Sequence, residues 1–566
     1  MARPHPWERS YPPAVRWDAP IVPSTLPRLL DGAVAAFGPH PSIEHRDRRI
    51  SFADLGRLAD AFAAALLAAG IGPGDALALY LPNTPDHPVT FFGGARAGLR
   101  LVHLSPLDAE RELAHKLGDS GARVLVTTNL PNVLPMALKL LERGHADRLI
   151  VGDDGAWGPS PVSPMPVPER HGVTTLAAFV AGAEPPAAWP RVEPEDVALL
   201  QYTGGTTGTP KGAILTHGNL TAAVESYEAW FGPQLKSRPG GQRVICALPL
   251  FHIYALTTIL LRHIRNGNEI LLRSRFDPET TLRDIEVKRA TSFPGVPTMW
   301  IALANHPGIE TRDFSSLVHC SSGGAPLPVE VGEQFERLTG RKLRGGWGMT
   351  ETAPAGTNLP LEGPSKPGSV GLPLPGVELG IVPLDDPRRP LAPREVGEIR
   401  VRGLNVTRGY WNRPEETAAA FVDGWFMTGD IGTMDEDGYF FIVDRRKDMI
   451  ISGGFNVYPQ VIEQAVYEHP QVEEAGVIGI PDPYRGEAAK VFVKLKDGAP
   501  GFTLADLQAF LADKIGRHEM PAALEIRASL PRSPVGKLSK LALREEERRL
   551  RDAHPPALDK AADGPT

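Results

Sequence analysis

The sequence predicts an α/β fold with one large and one smaller domain, and two observations support this prediction. Across residues 51–431, short apolar runs rich in β-branched residues alternate with stretches of helical periodicity. Such alternation is typical of helices layered on largely parallel sheets. After Phe441 the pattern changes to shorter elements that follow a charged run at residues 444–448. The chain has 566 residues, well beyond the roughly 250–300 at which one hydrophobic core stops growing.

We therefore expect an N-terminal domain over residues 1–443 and an α+β C-terminal domain over residues 444–566, with a hinge at residues 444–448. Residues 155–190, crowded with Pro, Gly and Ala, are predicted to be a surface excursion. In the large domain we predict strands at 76–81, 124–127, 197–202, 244–248, 270–272 and 317–321, and helices at 52–69, 219–230, 278–288 and 328–339. In the small domain we predict short elements at 449–452, 460–467, 475–479, 490–495 and 504–515.

Composition and charge narrow the class of protein. Hydrophobic residues make up 42% and charged residues 22%, which are ordinary values for a globular chain. The formal net charge of -7 argues against a nucleic-acid-binding protein, because such proteins are normally basic. We expect no nucleic-acid partner.

The cysteines and the first residues of the chain indicate the cellular location that the sequence predicts. Cys246 and Cys320 lie in apolar, strand-like runs, so buried free thiols are expected, in keeping with a reducing cytoplasm. The first residues have no apolar core of a secretory signal, and no run reaches the ~20 residues that span a bilayer. The sequence predicts a cytoplasmic protein without a transmembrane segment. Peripheral membrane contact and a homodimer stay open.

The strongest local pattern is QYTGGTTGTPKG at residues 201–212, placed between two apolar strands. Glycines let backbone amides approach an anion closely, while threonine hydroxyls and a lysine add donors and positive charge. The pattern predicts a polyphosphate-binding loop, although the spacing differs from a Walker loop. Its candidate binding residues are Thr203, Gly204, Gly205, Thr206, Thr207, Gly208 and Lys211.

This loop resembles the signature of the adenylate-forming superfamily, which includes acyl-CoA synthetases, peptide-synthetase adenylation domains and firefly luciferases. Matching motifs extend over residues 26–543. The runs PLFHIYALT and DRRKDMIISGGFNVYP are especially similar to bacterial long-chain fatty acyl-CoA synthetases. For the fold, the resemblance implies layered sheets with a small β-barrel-like part in the large domain and a mobile C-terminal domain.

The resemblance also implies roles for the nucleotide site. Gly323, Gly324 and Ala325 would line the adenine, and Trp347 would stack on it where the family more often has tyrosine. Thr350 would bind the α-phosphate and Glu351 would hold Mg²⁺, since Mg²⁺ favours carboxylate and phosphate oxygens. The implied ribose ligands are Asp430 and Arg445.

For the chemistry, the resemblance implies that Lys447 is the pivot of the hinge and that Lys537 bridges the substrate carboxylate and the α-phosphate. Gly453, Gly454 and Phe455 would line the channel for the pantetheine arm of coenzyme A. His252 would lie beside the reacting carboxyl group, or would only pack in the core.

The expected activity is that of an acyl-CoA ligase. It would use ATP, Mg²⁺ and coenzyme A to convert a medium- to long-chain fatty acid to acyl-AMP and then to acyl-CoA, releasing pyrophosphate and AMP. Dicarboxylates such as pimelate and aromatic acids stay open as alternative substrates. A luciferase-type oxygenase shares the nucleotide motifs. A non-catalytic nucleotide-binding scaffold is disfavoured because Glu351, Asp430 and Lys537 are all present.

Overall fold

The computed structural model describes residues 5–203, 210–235, 240–363, 366–452, 455–533 and 537–553. The chain divides into two compact units, Met1–Ile442 and Val443–Thr566. The first combines layered sheets and helices and the second is a smaller α+β unit, so the predicted fold class is confirmed. The hinge at residues 444–448 stays a prediction.

The first sheet of the large unit is parallel except for its last pair. Its central strands are buried on both faces, which explains why they are continuous apolar runs rather than alternating patterns. In spatial order its strands are Val173–Thr175, Arg148–Gly152, Val124–Thr128, Ala76–Leu79, Arg100–His103, Val197–Thr203 and Lys211–Thr216. Helices Glu110–Ser120 and Leu134–Glu142 contribute to the apolar core on this sheet.

The edge of this sheet corrects the expectation for residues 155–190. Val173–Thr175 adds a parallel strand beside Arg148–Gly152, and the helix Leu176–Val180 follows directly. Thr175 caps that helix by accepting a hydrogen bond from Ala178 N at 3.2 Å. A strand of three residues is too short to show an alternating pattern in the sequence.

The second sheet of the large unit begins with an antiparallel pair, continues through parallel strands and ends in antiparallel ones. In order, Arg48–Ser51 lies antiparallel beside Pro41–His45, and the parallel run continues through Glu269–Leu272, Arg243–Cys246, Ser292–Gly295, His319–Ser322 and Leu343–Trp347. The antiparallel strands then follow as Thr357–Asn358, Ser369–Pro373, Phe440–Arg445, Trp425–Met434, Gly397–Gly403 and Val377–Val382, with Phe421–Val422 beside Trp425–Met434.

Helices cover these sheets, and some of them begin at a residue whose side chain caps the first turn. Ser51, for example, accepts a hydrogen bond from Asp54 N at 3.0 Å and begins the helix Phe52–Ala68. The other helices of the large unit are Leu26–Phe37, Asp86–Arg96, His217–Leu235, Pro278–Glu286, Pro297–Ala304, Val329–Thr339 and Pro414–Ala420. A further helix has three consecutive parts, Ile253–Ala255, the π-helical Leu256–Leu261 and Arg262–Arg265.

The small unit is built on a sheet of mainly antiparallel strands with its own core. Asp444 is buried, and its carboxylate accepts from Gln460 N at 2.7 Å at the start of helix Pro459–Tyr467. Its strands are Phe455–Val457, Ile450–Ser452, Gly486–Leu495, Val472–Asp482 and Ala523–Ile526, and its other helices are Leu504–Leu511 and Lys540–Ala553.

Two sequence expectations about the whole chain can be compared with this structure. Cys246 and Cys320 are buried free thiols, as predicted. Within the described ranges, the helices are all too short or too polar to cross a membrane.

Candidate active site

The polyphosphate-binding loop joins two strands whose register is fixed. Val197–Thr203 and Lys211–Thr216 pair antiparallel, with Thr203 opposite Lys211 at the loop end of the ladder. Gly204, Gly205, Thr206, Thr207 and Gly208 lie outside the described residues. Lys211 Nζ is 3.8 Å from Glu416 Oε1 and 5.7 Å from the centroid of the Tyr410 ring. The lysine therefore has a carboxylate and an aromatic face beside it at the mouth of the hairpin.

Tyr410 links this lysine to Glu351. Its hydroxyl donates a hydrogen bond of 2.9 Å to Glu351 Oε1, and Glu351 is only 6% exposed. Burial, with the adjacent carboxylate, raises the pKa of Tyr410, so the phenol stays protonated and remains a donor. Thr350 is the neighbour of Glu351 in the turn Thr350–Thr352. The structure thus brings together a cation, a phenol and a carboxylate that can face a polyphosphate.

The turn around Glu351 is held by close backbone contacts. Asn405 Nδ2 donates to the carbonyl oxygens of Thr352 and Ala355, both at 2.7 Å. Thr407 N donates to the carbonyl oxygen of Glu351 at 2.7 Å. A Cβ atom on Gly348 would lie 1.5 Å from the carbonyl oxygen of Pro354, so only glycine fits at that position.

We expect Gly348→Ala to lower the free energy of unfolding by about 3 kcal/mol or more, because the backbone of residue 354 must move. Nucleotide affinity should fall with it, since the same movement displaces Glu351. Thermal unfolding and ATP titration measure both effects. Gly118→Ala is the matched control, because a Cβ there meets nothing within 4 Å at an exposed position of helix Glu110–Ser120. Equal stability of the two variants would contradict the expected clash.

Trp347 and Asp430 form a second contact of the site. The indole Nε1 donates to Asp430 Oδ2 at 2.7 Å. Asp430 lies inside strand Trp425–Met434. The pairing with strand Gly397–Gly403 shifts register between Glu398 and Arg400, which forms a bulge in Trp425–Met434. Gly429 has φ +71° in this bulge. The bulge therefore presents the Asp430 carboxylate to the tryptophan ring.

The glycines predicted to line the adenine follow the strand His319–Ser322. A Cβ on Gly323 would lie 2.9 Å from Tyr254 Cζ, so the tyrosine ring covers this backbone closely. Burial raises the pKa of Tyr254 to about 12. Gly324 has φ +79° and Ala325 comes next, while the following helix begins only at Val329. Gly323 and Tyr254 thus meet at the carboxyl end of strand His319–Ser322.

The segment Leu248–His252 is held by buried amides that the sequence analysis missed. Asn83 Nδ2 donates to Leu248 O at 2.9 Å, and Asn83 Oδ1 accepts from Leu250 N at 2.8 Å. Gln201 Nε2 donates to Phe251 O at 3.0 Å. His252 accepts from Tyr254 N at 3.3 Å and caps the next helix. Gln201 belongs to strand Val197–Thr203, which leads into the phosphate loop. Its hydrogen bond to Phe251 O therefore links that strand to the segment Leu248–His252.

The remaining predicted residues lie in or next to the small unit. Lys537 N donates to Ser533 Oγ at 3.2 Å, and Ser533 N donates to Lys537 O at 2.6 Å, so two hydrogen bonds join these residues. Arg445 and Lys447 are exposed. Phe455 is 60% exposed, with its ring centroid 5.2 Å from that of His518. Gly453 and Gly454 lie outside the described residues. The roles of these residues stay predictions.

Together, the hairpin with Lys211, the Tyr410–Glu351 pair and the Trp347–Asp430 pair are suited to a nucleotide. The family model described as AMP-binding enzyme matches residues 30–411, and the model described as AMP-binding enzyme C-terminal domain matches residues 461–537. The chain therefore belongs to the AMP-binding enzyme family.

Individual relatives are similar over nearly the whole chain. A long-chain-fatty-acid–CoA ligase of Bacillus subtilis is 38% identical, with 96% of this chain and 98% of the relative covered. A feruloyl-CoA synthase of Amycolatopsis is also 38% identical, with 89% and 96% covered. The crystal structure of ATP-bound MatB from Rhodopseudomonas palustris superposes with a TM-score of 0.81 at 29% identity, covering 93% of this chain and 100% of MatB.

Proposed function

We propose that this protein is an ATP-dependent acyl-CoA ligase that activates a medium- to long-chain fatty acid. Its membership of the AMP-binding family and its similarity along 96% of the chain to a long-chain-fatty-acid–CoA ligase support the activity. The observation that carries the proposal into this chain is the arrangement of Lys211, Tyr410 and Glu351 at the mouth of the glycine-rich hairpin.

The first half-reaction joins the acid to the nucleotide. An oxygen of the substrate carboxylate forms a bond to the α-phosphorus of ATP, the bond to the β-phosphate oxygen breaks, and pyrophosphate leaves. The protein supplies positioning and charge rather than a covalent nucleophile. We assign phosphate contacts to Thr203, Thr350 and Lys211, and the charge between carboxylate and α-phosphate to Lys537. The ribose hydroxyls would bind Asp430, whose carboxylate also accepts from Trp347.

Glu351 is the residue that would hold Mg²⁺. The described residues contain no group of three or more His, Cys, Asp or Glu that could hold a metal by themselves. A single buried carboxylate fits the ion nonetheless, because Mg²⁺ usually binds one or two carboxylates together with substrate phosphates. Tyr410 positions this carboxylate through a hydrogen bond to Oε1. When bound, Mg²⁺ neutralises phosphate charge during the displacement.

The second half-reaction forms the thioester. The sulfur of coenzyme A bonds to the acyl carbon, the acyl–phosphate oxygen bond breaks, AMP leaves and the thiol proton is released. We propose that the hinge at residues 444–448, with Lys447 as its pivot, exchanges Lys537 for the Gly453–Phe455 segment between the two steps.

The acid is proposed from the segment at residues 249–256. Aliphatic and aromatic side chains dominate there and none is a carboxylate, which disfavours an amino-acid substrate. The name of the Bacillus relative supports a long-chain fatty acid, whereas the equal identity to a feruloyl-CoA synthase makes an aromatic acid the second candidate. His252 is proposed beside the reacting carboxyl group.

The test is a panel of monocarboxylic, dicarboxylic and aromatic acids, supplied with ATP, Mg²⁺ and coenzyme A. AMP release and the mass of the acyl-CoA product are measured. Medium- and long-chain fatty acids should give the highest kcat/KM. AMP and pyrophosphate without a thioester would overturn the ligase assignment, and a preference for ferulate would overturn the acid assignment.

We also propose a cytoplasmic location, on the ground that Cys246 and Cys320 are free thiols. Sedimentation of the purified protein, alone and with anionic vesicles, would decide whether it forms a homodimer or contacts membranes peripherally.

A further inference from the structure

A buried polar cluster lies deep in the large unit, away from the predicted nucleotide ligands. It consists of Arg262, His263 and His319, which are 3%, 1% and 5% exposed. Arg262 and His263 belong to the helix that begins just after His252, and His319 is the first residue of the strand that leads to Gly323. Buried polar groups normally have partners, so atoms here without one require an explanation.

The tautomer of His263 follows from its neighbours. Asn268 Oδ1 accepts a hydrogen bond from Gln242 N at 3.1 Å, which fixes Asn268 Nδ2 as the donor on the other side of the amide. Asn268 Nδ2 is 3.1 Å from His263 Nδ1, so Nδ1 accepts. Burial lowers the pKa of His263 well below its usual value and keeps the ring neutral. The proton therefore lies on Nε2, which has no hydrogen-bond partner among the described residues.

Arg262 supplies a second buried N–H donor to the cluster. Its Nε is 3.5 Å from Glu228 Oε2 but forms no hydrogen bond with any described residue. Its guanidinium lies 4.8 Å from the centroid of the Phe231 ring. The charges of Arg262 and Glu228 offset each other, so this end of the cluster is close to neutral overall.

His319 completes the cluster and contacts the same phenylalanine ring. Its ring centroid is 4.7 Å from that of Phe231, and its Nδ1 is 3.3 Å from Ser292 Oγ. Its Nε2 has no partner within the described ranges. Burial lowers the pKa of His319 to about 3, so this ring is neutral as well. Depending on its tautomer, Nε2 can accept or donate.

Contacts connect this cluster with the candidate site. Phe231 stacks on Tyr227 with centroids 6.1 Å apart, and the Tyr227 hydroxyl donates to Pro354 O at 3.4 Å, just after the Glu351 turn. Along the strand, His319 is three residues from Ser322, roughly 10 Å at about 3.3 Å per residue. Along the helix, Arg262 is ten residues from His252, roughly 15 Å at about 1.5 Å per residue.

We propose that Arg262, His263 and His319 form the inner end of the acyl site and bind a hydroxyl group of the substrate, roughly 10–15 Å from its reacting carboxyl. The inference rests on the proposed acyl-CoA ligase function. A hydroxyl oxygen accepts from Arg262 Nε and His263 Nε2, and its proton can reach His319 Nε2. A plain alkyl end leaves these donors unpaired, whereas a second carboxylate brings a buried negative charge that Arg262, already paired with Glu228, does not neutralise.

The test compares the plain fatty acid, the ω-hydroxy acid and the α,ω-dicarboxylic acid at each of several chain lengths, by kcat/KM for AMP release. The wild type should favour the hydroxy acid over the plain acid by about tenfold or more at the best length, because a site built for hydrogen bonding discriminates against analogues that lack the group. Arg262→Met should reduce that ratio by about tenfold. Arg265→Met is the matched control, since Arg265 is in the same helix but pairs with Glu225 at 2.6 Å.

The outcomes separate this inference from the proposed function. No AMP release with any acid would refute the ligase function itself. Activity that is highest with plain or dicarboxylic acids in the wild type would overturn the hydroxyl subsite, even if Arg262→Met did not fold. An unchanged ratio in folded Arg262→Met, or the same fall in Arg265→Met, would also overturn it.

Discussion

Replacing Lys537 with alanine should slow acyl-adenylate formation by about 10²–10³-fold and leave thioester formation from supplied acyl-AMP within a few fold of the wild type. The reason is that the ammonium group is proposed to neutralise charge only in the first half-reaction. The loop itself should persist, because its closing hydrogen bonds use the backbone of Lys537 and the side chain and backbone of Ser533. Single-turnover measurements of both half-reactions give the two rates.

Lys496→Ala is the matched control for this variant. Lys496 is an exposed lysine of the same unit whose ammonium group donates to Pro470 O at 2.9 Å. It should leave both half-reactions unchanged. Equal losses of both half-reactions in Lys537→Ala would mean that the lysine supports the small unit as a whole, and the assignment to adenylation would be wrong.

Glu351→Gln should lower the rate of adenylation by about 10²-fold or more. The reason is that a metal contact stabilises the charge of the transition state by several kcal/mol. Glutamine keeps an oxygen that accepts the hydrogen bond from Tyr410, so the turn should remain folded. The Mg²⁺ concentration that gives half the maximal rate should rise in parallel. Rates measured across a magnesium titration, with thermal unfolding alongside, test both parts.

Tyr410→Phe distinguishes the proposed metal-binding role of Glu351 from its hydrogen bond with Tyr410. It removes the donor to Glu351 and leaves the carboxylate charge in place. We expect a loss of about tenfold, which corresponds to about 1.5 kcal/mol, the lower end of the range for one hydrogen bond to a charged group. If Glu351→Gln were no worse than Tyr410→Phe and its magnesium dependence did not change, Glu351 would not be the metal ligand.

Much of the fold was predictable because its central strands are buried on both faces. Runs such as Val124–Thr128 and Val197–Thr203 are continuous and apolar, and the predicted strands lie within one or two residues of them. The helix Phe52–Ala68 was predicted from its periodicity, with an end one residue later. The edge strand Val173–Thr175 was missed because it depends on pairing with Arg148–Gly152 rather than on its own sequence.

The candidate site was predictable only where motifs are contiguous in the chain. Tyr410 lies 59 residues from Glu351, and nothing near it in sequence points to that contact. Asn83 and Gln201 contact the segment Leu248–His252 from distances of 50 residues or more. Such contacts arise from the packing of the two sheets, which no local pattern encodes. His103, which faces Gln201 Oε1 at 3.0 Å, was missed for the same reason.

The support of Leu248–His252 by Asn83 and Gln201 has a consequence for how acid preference can evolve. Both amides hold main-chain atoms, so the path of the backbone does not depend on the side chains that the segment presents. Side chains at 251, 253 and 256 can therefore change in size or polarity while the backbone beside the phosphate loop stays in place. A mutational library aimed at new acids should randomise those positions and keep Asn83 and Gln201. Losing either amide would remove hydrogen bonds that hold the backbone of the segment in place.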